Sequence, residues 1–147
     1  MSAADRYLPD EWQLPALTEF NRAFFTSGTL KLQQCIACKS MQHPPGEVCF
    51  TCGEVEFEYV GADERGTISS YTIVHHPVHE VLKSVVPYNV VVVQLDEFPH
   101  VEIVGNLVGA ALSSDVRIGA AVHGVWTGPL DDDCDEPVRL LQWQLAT

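Results

Sequence analysis

The stretch Cys35-Ile36-Ala37-Cys38, followed after ten residues by Cys49-Phe50-Thr51-Cys52-Gly53, decides how this chain is read. Each pair has C-x2-C spacing, the strongest chemical signal in the sequence. Two residues between cysteines let one tight turn present both sulfurs to a single ion while its backbone N–H groups point at them. Gly53 follows the second pair, where a small residue eases the turn. Two such turns supply four thiolates in a tetrahedron.

That donor set, Cys35, Cys38, Cys49 and Cys52, suits Zn2+. Iron also accepts four thiolates, and two disulfides are the covalent alternative. A cytosolic setting disfavours disulfides, and a bridge within one C-x2-C is a redox motif rather than a staple. One zinc per chain is the expectation. Four sulfurs fill its coordination and leave no position for water, so the ion is structural.

Working outward, Glu54-Val55-Glu56-Phe57-Glu58-Tyr59-Val60 has strict period two. It predicts a strand with Val55, Phe57 and Tyr59 on a buried face and three glutamates on a solvated one. With Leu30 and Leu32 ahead of the cysteines, residues 29–60 form one ribbon-like segment. Before it, residues 1–28 read as a polar arm and a helix over 15–27. Pro15 suits a first turn, Leu17, Phe20 and Phe24 share a face, and Gly28 ends the helix. The Phe stripe is expected on the chain's own core, with Phe20 and Phe24 as candidate partner contacts.

After the ribbon, residues 61–147 are β in flavour. The predicted strands are Thr67–His75, Tyr88–Leu95, Val101–Leu107, Ala121–Trp126 and Val138–Leu145, with Pro or Gly between most of them. Ser113–Ile118 reads as one short turn, and Asp131–Glu136 as an acidic loop. Five strands in about eighty residues suggest a small closed barrel, because closure removes sticky edges. The fold class is therefore mainly β: N-terminal helix, zinc ribbon, five-stranded barrel.

The chain has 147 residues, enough to own a core. Eight Lys and Arg face twenty Asp and Glu, a formal charge of −12. Four thiolates and one Zn2+ add −2, giving about −14. Nucleic-acid affinity comes largely from cations that displace counterions, so this balance opposes it; it permits docking on a basic protein surface. No apolar run is long enough to span a bilayer, and the first residues lack a signal-peptide core. A cytoplasmic protein is expected.

Elsewhere the chemistry is plain. His75, His76 and His79 complete no familiar metal set. Asp131–Asp133 lacks the glycine and distal Glu of a calcium loop. Cys134 sits among carboxylates that disfavour its thiolate. There is no G-x-S-x-G and no Gly-rich phosphate loop, so no catalytic residue is assigned.

The ordered set of pieces resembles the DUF35 family, zinc-ribbon and OB-fold acyl-CoA-associated proteins, over about residues 17–146. The matching residues are Gly28-Thr29-Leu30; the two cysteine pairs with His43-Pro44-Pro45 between them; Gly66-Thr67-Ile68-Ser69-Ser70-Tyr71-Thr72-Ile73-Val74; Pro87-Tyr88 leading into Val90–Leu95; and Val116-Arg117-Ile118-Gly119 before Val122. The C-terminal Leu140–Leu145 run departs from the family, whose members often carry a Phe near the end. The acidic loop looks like a local elaboration.

The resemblance implies a rubredoxin-like ribbon joined to an OB-fold barrel. It also implies an accessory, non-catalytic subunit of a thiolase-like enzyme (thiolase, synthase or aldolase) that assists acyl-CoA binding or transfer. If CoA phosphates touch this chain, its few cations are the candidates: Lys31, Lys39 and Arg65 first, then Lys83 and Arg117. Two other readings compete. One is a single-stranded nucleic-acid module, which needs a basic groove beside Tyr71, Tyr88 or Trp126. The other is a self-sufficient acyl-thioester hydratase or hydrolase.

Overall fold

The computed structural model describes residues 5–109, 116–130 and 135–146. Two antiparallel sheets carry the chain. The first joins β1 (Lys31–Cys35), β2 (Met41–Gln42) and β3 (Phe57–Gly61) in the order β2-β1-β3. The second joins β4 (Arg65–Val74), β5 (Tyr88–Leu95), β6 (Glu102–Gly105), β7 (Ala121–Trp126) and β8 (Leu141–Leu145) in the order β6-β5-β4-β7-β8.

The second sheet closes on itself. Just past β6, Leu107 meets Trp143 of β8 in a parallel bridge. The Trp143 N–H donates to Asn106 O at 2.9 Å and the Val108 N–H to Trp143 O at 2.8 Å. The edges of β6 and β8 thus satisfy each other, which makes the sheet the five-stranded barrel expected. The alternation of β5 shows how it is filled: Asn89, Val91, Val93 and Leu95 are buried in turn. Asn89 is the polar member of that row. Its amide bonds Leu107 O at 2.9 Å and accepts from the Leu107 N–H at 2.7 Å, pinning the closing turn. Trp143 fills the interior against bare Gly105, where a Cβ would sit 3.0 Å from the indole.

Ribbon and barrel share one core. Leu30, Leu32 and Met41 from the ribbon side pack in the same cluster as Ile68, Val93, Ile103 and Trp143.

The N-terminal helix is far shorter than predicted. Only Arg22–Thr26 is helical, as α1. Upstream, side chains take the backbone donors a helix would use. Asn21 Oδ1 accepts the Thr18 N–H, and Thr18 Oγ1 accepts those of Phe20 and Asn21. Such local bonds compete with helix formation. Gly28 ends the segment at φ +72°, as its position implied.

The strand predicted from Glu54 starts only at Phe57, and Val55 is exposed rather than buried. The carbonyls of Glu54 and Glu56 are engaged by the N–H groups of Cys49 and Ile36, so the cysteine turns hold this backbone. The barrel strands are trimmed relative to expectation mainly at β6 and β8. Part of Ser113–Ile118, part of Asp131–Glu136 and Cys134 lie outside the described residues. Among the described residues, no helix is long and apolar enough to cross a membrane.

Candidate metal centre

The four cysteines come together at one end of the ribbon, with all four Sγ atoms within 4.8 Å of one another. Cys35 and Cys52 are 3.6 Å apart at sulfur, as are Cys38 and Cys49. A tetrahedron with Zn–S bonds near 2.3 Å has edges of about 3.8 Å, whereas a disulfide holds its sulfurs near 2.05 Å. The spacing fits a shared ion, and no disulfide joins any of these four cysteines.

The two turns are built alike. In the first, the Lys39 N–H donates to Cys35 O and the Cys35 N–H to Ser40 O. In the second, the Gly53 N–H donates to Cys49 O and the Cys49 N–H to Glu54 O. Backbone N–H groups reach the sulfurs, Cys38 to Cys35 Sγ at 3.5 Å and Thr51 to Cys49 Sγ at 3.4 Å. The residue after each pair has positive φ: Gly53 at +80° and Lys39 at +65°. Glycine does this freely; lysine does it under strain.

Charge is distributed unevenly over the sulfurs. Hydrogen bonding with Ser40, through its side chain and its backbone, holds the Cys38 thiol down to about 6. Backbone donors of Cys52 and Thr51 lower Cys49. For Cys52 a backbone bond from Glu54 also lowers the value, but burial and the neighbouring sulfurs together push it up to about 12. A divalent cation relieves that mutual repulsion, and thiolates are its ligands.

A buried amide pair, which nothing in the spacing of the sequence announced, supports the second turn. Gln33 in β1 and Gln42 in β2 are both buried. Gln42 Nε2 donates to Gln33 Oε1 at 2.7 Å and to Val48 O at 3.1 Å. Gln42 Oε1 accepts the Phe50 N–H at 2.9 Å, and Gln33 bonds both the N–H and the carbonyl of Gly46. The loop that carries Cys49 is therefore fastened to the sheet.

Of the other predicted site residues, Lys39 belongs to the first cysteine turn and the rest lie apart from the sulfurs. Lys39 pairs with Glu58 at 3.7 Å and Lys83 with Glu80 at 3.5 Å. Lys31 is half-buried in β1, and Arg117 is exposed. Arg65 opens β4 and faces a groove of about 540 Å3 with His123 and Asp96. Phe20 is half-buried, whereas Phe24 is buried against Phe25, His43 and Trp126.

A second feature was not legible in the sequence. An apolar cavity of about 460 Å3 lies between the N-terminal arm, α1 and the barrel, with Leu8, Phe24, Val104 and Leu141 among its walls. His43 on its wall is held neutral, its pKa lowered to about 4 by burial. Arg6 reaches it from the arm and folds that arm on itself, donating to Trp12 O and Gln13 O, while Gln142 of β8 holds the arm through the Tyr7 N–H and Asp5 O.

A four-thiol ribbon fused through one core to a closed five-stranded barrel defines a zinc-ribbon/OB-fold protein. Residues 24–58 match the family described as ChsH2, rubredoxin-like zinc ribbon domain, and residues 59–127 match ChsH2, C-terminal OB-fold domain. The chain belongs to the DUF35 family, in its ChsH2 branch.

Among solved structures, it is similar to a chain of the Ltp2-ChsH2(DUF35) aldolase, with 33% identity and a TM-score of 0.72 over 91% of this chain and 100% of that one. A DUF35 protein of unknown function from Sulfolobus solfataricus shares the fold at 19% identity and a TM-score of 0.51, over 83% of this chain and 82% of that one. Among curated proteins, the "Probable enoyl-CoA hydratase alpha subunit" of Thermomonospora curvata is 36% identical over 76% of this chain and 34% of its own length. The 3-oxo-4,17-pregnadiene-20-carboxyl-CoA hydratase alpha subunit of Mycobacterium tuberculosis is 31% identical over 85% of this chain and 39% of its own length. The chain thus spans little more than a third of the curated relatives it matches.

Proposed function

We propose that this chain is a non-catalytic accessory subunit that binds a thiolase-like enzyme and assists acyl-CoA binding or transfer in the cytoplasm, with Zn2+ as a structural clasp at Cys35, Cys38, Cys49 and Cys52. The observation that carries this reading is the likeness, at 33% identity, to the whole of a chain named for an aldolase assembly. Two hydratase alpha subunits also match, but over about a third of their length. Their hydratase chemistry therefore supports acyl-CoA as the shared substrate class, not hydration by this chain.

The ribbon fits a scaffolding role because its rigidity comes from metal and a glutamine lock rather than from a large core. The apolar cavity between arm and barrel has the walls an acyl chain would use. Reducing conditions would keep the four thiols available to the ion.

The test is purification of the tagged full chain from its native host. A thiolase-like subunit is expected to accompany it, with one zinc per chain. Recovery of the chain alone, with no effect on any acyl-CoA enzyme added back, refutes the reading.

A further inference from the structure

Eight large apolar side chains are exposed among the described residues, and four of them sit at the metal-bearing end of the ribbon: Ile36, Val48, Phe50 and Val55. Ile36 follows Cys35, and Val48 and Phe50 flank Cys49. Val55 adjoins Glu54 and Glu56, whose carbonyls bond Cys49 and Ile36. Phe50 is 64% exposed and Val55 62%. Monomeric proteins rarely gather such residues without covering them.

These side chains are also held ready. Phe50 is fixed through its N–H to Gln42, and its ring lies over Gly46, where a Cβ would be 3.2 Å from Cε1 and Cζ. A clasped turn that displays an aromatic ring loses little freedom on binding, which favours affinity. Aromatic residues in such positions are the usual anchors of interfaces.

Charge identifies what covers the patch. Glu47, Glu54, Glu56 and Glu58 are exposed around it. The one basic residue of the cysteine turns, Lys39, is already paired with Glu58. Four thiolates around one divalent ion add further negative charge.

We propose that this tip is the docking surface for the enzyme subunit: Phe50 and its apolar neighbours seat in an apolar depression of the partner whose rim carries Lys or Arg facing Glu47, Glu54 and Glu56. The proposal rests on the functional reading above, since it needs that partner. It goes further in assigning the contact to the ribbon tip, whose exposed apolar residues do not line the cavity, and in stating the partner's chemistry. Complementary charge of this kind speeds encounter and is weakened by salt.

The experiment places the photo-crosslinking residue p-benzoylphenylalanine at position 50, 78 or 118 of the full-length chain in its native host. Val78 and Ile118 are at least as exposed but lie elsewhere. Crosslinking of the thiolase-like subunit from position 50, and not from 78 or 118, is expected. With the purified pair, Phe50→Ser should weaken binding by at least about tenfold, and Ile118→Ser by less than about twofold. Zinc content, measured alongside, should stay unchanged in both variants. Crosslinking of the enzyme only from position 78 or 118, or only of a second copy of this chain from position 50, overturns the proposal and leaves the functional reading standing. Undiminished binding by Phe50→Ser does the same. Failure of the unaltered chain to retain any acyl-CoA enzyme overturns both.

Discussion

The buried side chains of Gln33 and Gln42 face each other across β1 and β2, and the 2.7 Å bond between their amides aims the remaining amide atoms at Gly46, Val48 and Phe50. One polar pair thereby fixes the loop before and after Cys49. Replacing Gln42 with Leu removes three bonds and strands the Phe50 N–H and the Val48 carbonyl, while Gln33 Oε1 keeps only the Gly46 N–H. A loss of about 2–3 kcal/mol is expected in denaturant unfolding, because unpaired buried polar groups cost this much. Zinc affinity should fall with it, as read by competition with a colorimetric chelator.

Removing the metal should unfold the ribbon first. Hydrogen exchange after chelation is expected to deprotect residues 31–61, with weaker loss of protection in the barrel because Leu30, Leu32 and Met41 belong to its core. An unchanged exchange map and near-UV spectrum in metal-free protein would contradict the structural role.

The strain at Lys39 gives a prediction in the opposite direction. Its φ of +65° matches the conformation that Gly53 adopts in the other turn. Lys39→Gly should raise the thermal midpoint, by an amount equivalent to about 0.5–1 kcal/mol, since the exposed pair with Glu58 contributes little.

His43 makes stability depend on acid. Its pKa is lowered to about 4 by burial beside Phe24, against about 6.5 in an unfolded chain. Between these values the unfolded state binds the extra proton, so stability rises with pH. The contribution of neutral His43 is whole above about 6.5 and is lost as pH falls toward 4, roughly 3 kcal/mol at most. His43→Phe should flatten that slope in denaturant midpoints measured across this range.

Close backbone approach sets a further limit. A Cβ on Gly66 would lie 2.4 Å from Val93 Cγ1 and 2.6 Å from Gln94 O. Gly66→Ala must spread β4 from β5 and is expected to cost about 1–3 kcal/mol, seen as a lowered urea midpoint.

Much of this architecture was legible in residue patterns. Paired cysteines announce a metal turn because the chemistry tolerates few other spacings, and the Val-rich run of Tyr88–Leu95 behind Pro87 announces a strand. The short α1 was not legible, because Thr18 and Asn21 divert backbone donors through contacts no periodicity shows. Val55 misled for a related reason: its neighbours' carbonyls are claimed by the two cysteine turns, which no alternation shows. The Gln33–Gln42 lock and the cavity under the arm depend on residues that meet only after folding. In a sequence, a buried glutamine and a surface one look the same.

Gln142 joins the two extremities of the described chain. It accepts the Tyr7 N–H at 2.7 Å and donates to Asp5 O at 2.8 Å, while the Tyr7 hydroxyl sits on Asn89. Tension at Asp5 is therefore borne by one amide at the seam of the barrel, whereas tension at Ala146 is borne by the β7–β8 ladder, where the Ala146 N–H bonds Ala121 O. Neither of these anchorages involves the four-cysteine clasp, so the ends of the described chain are held by the barrel and not by the ribbon.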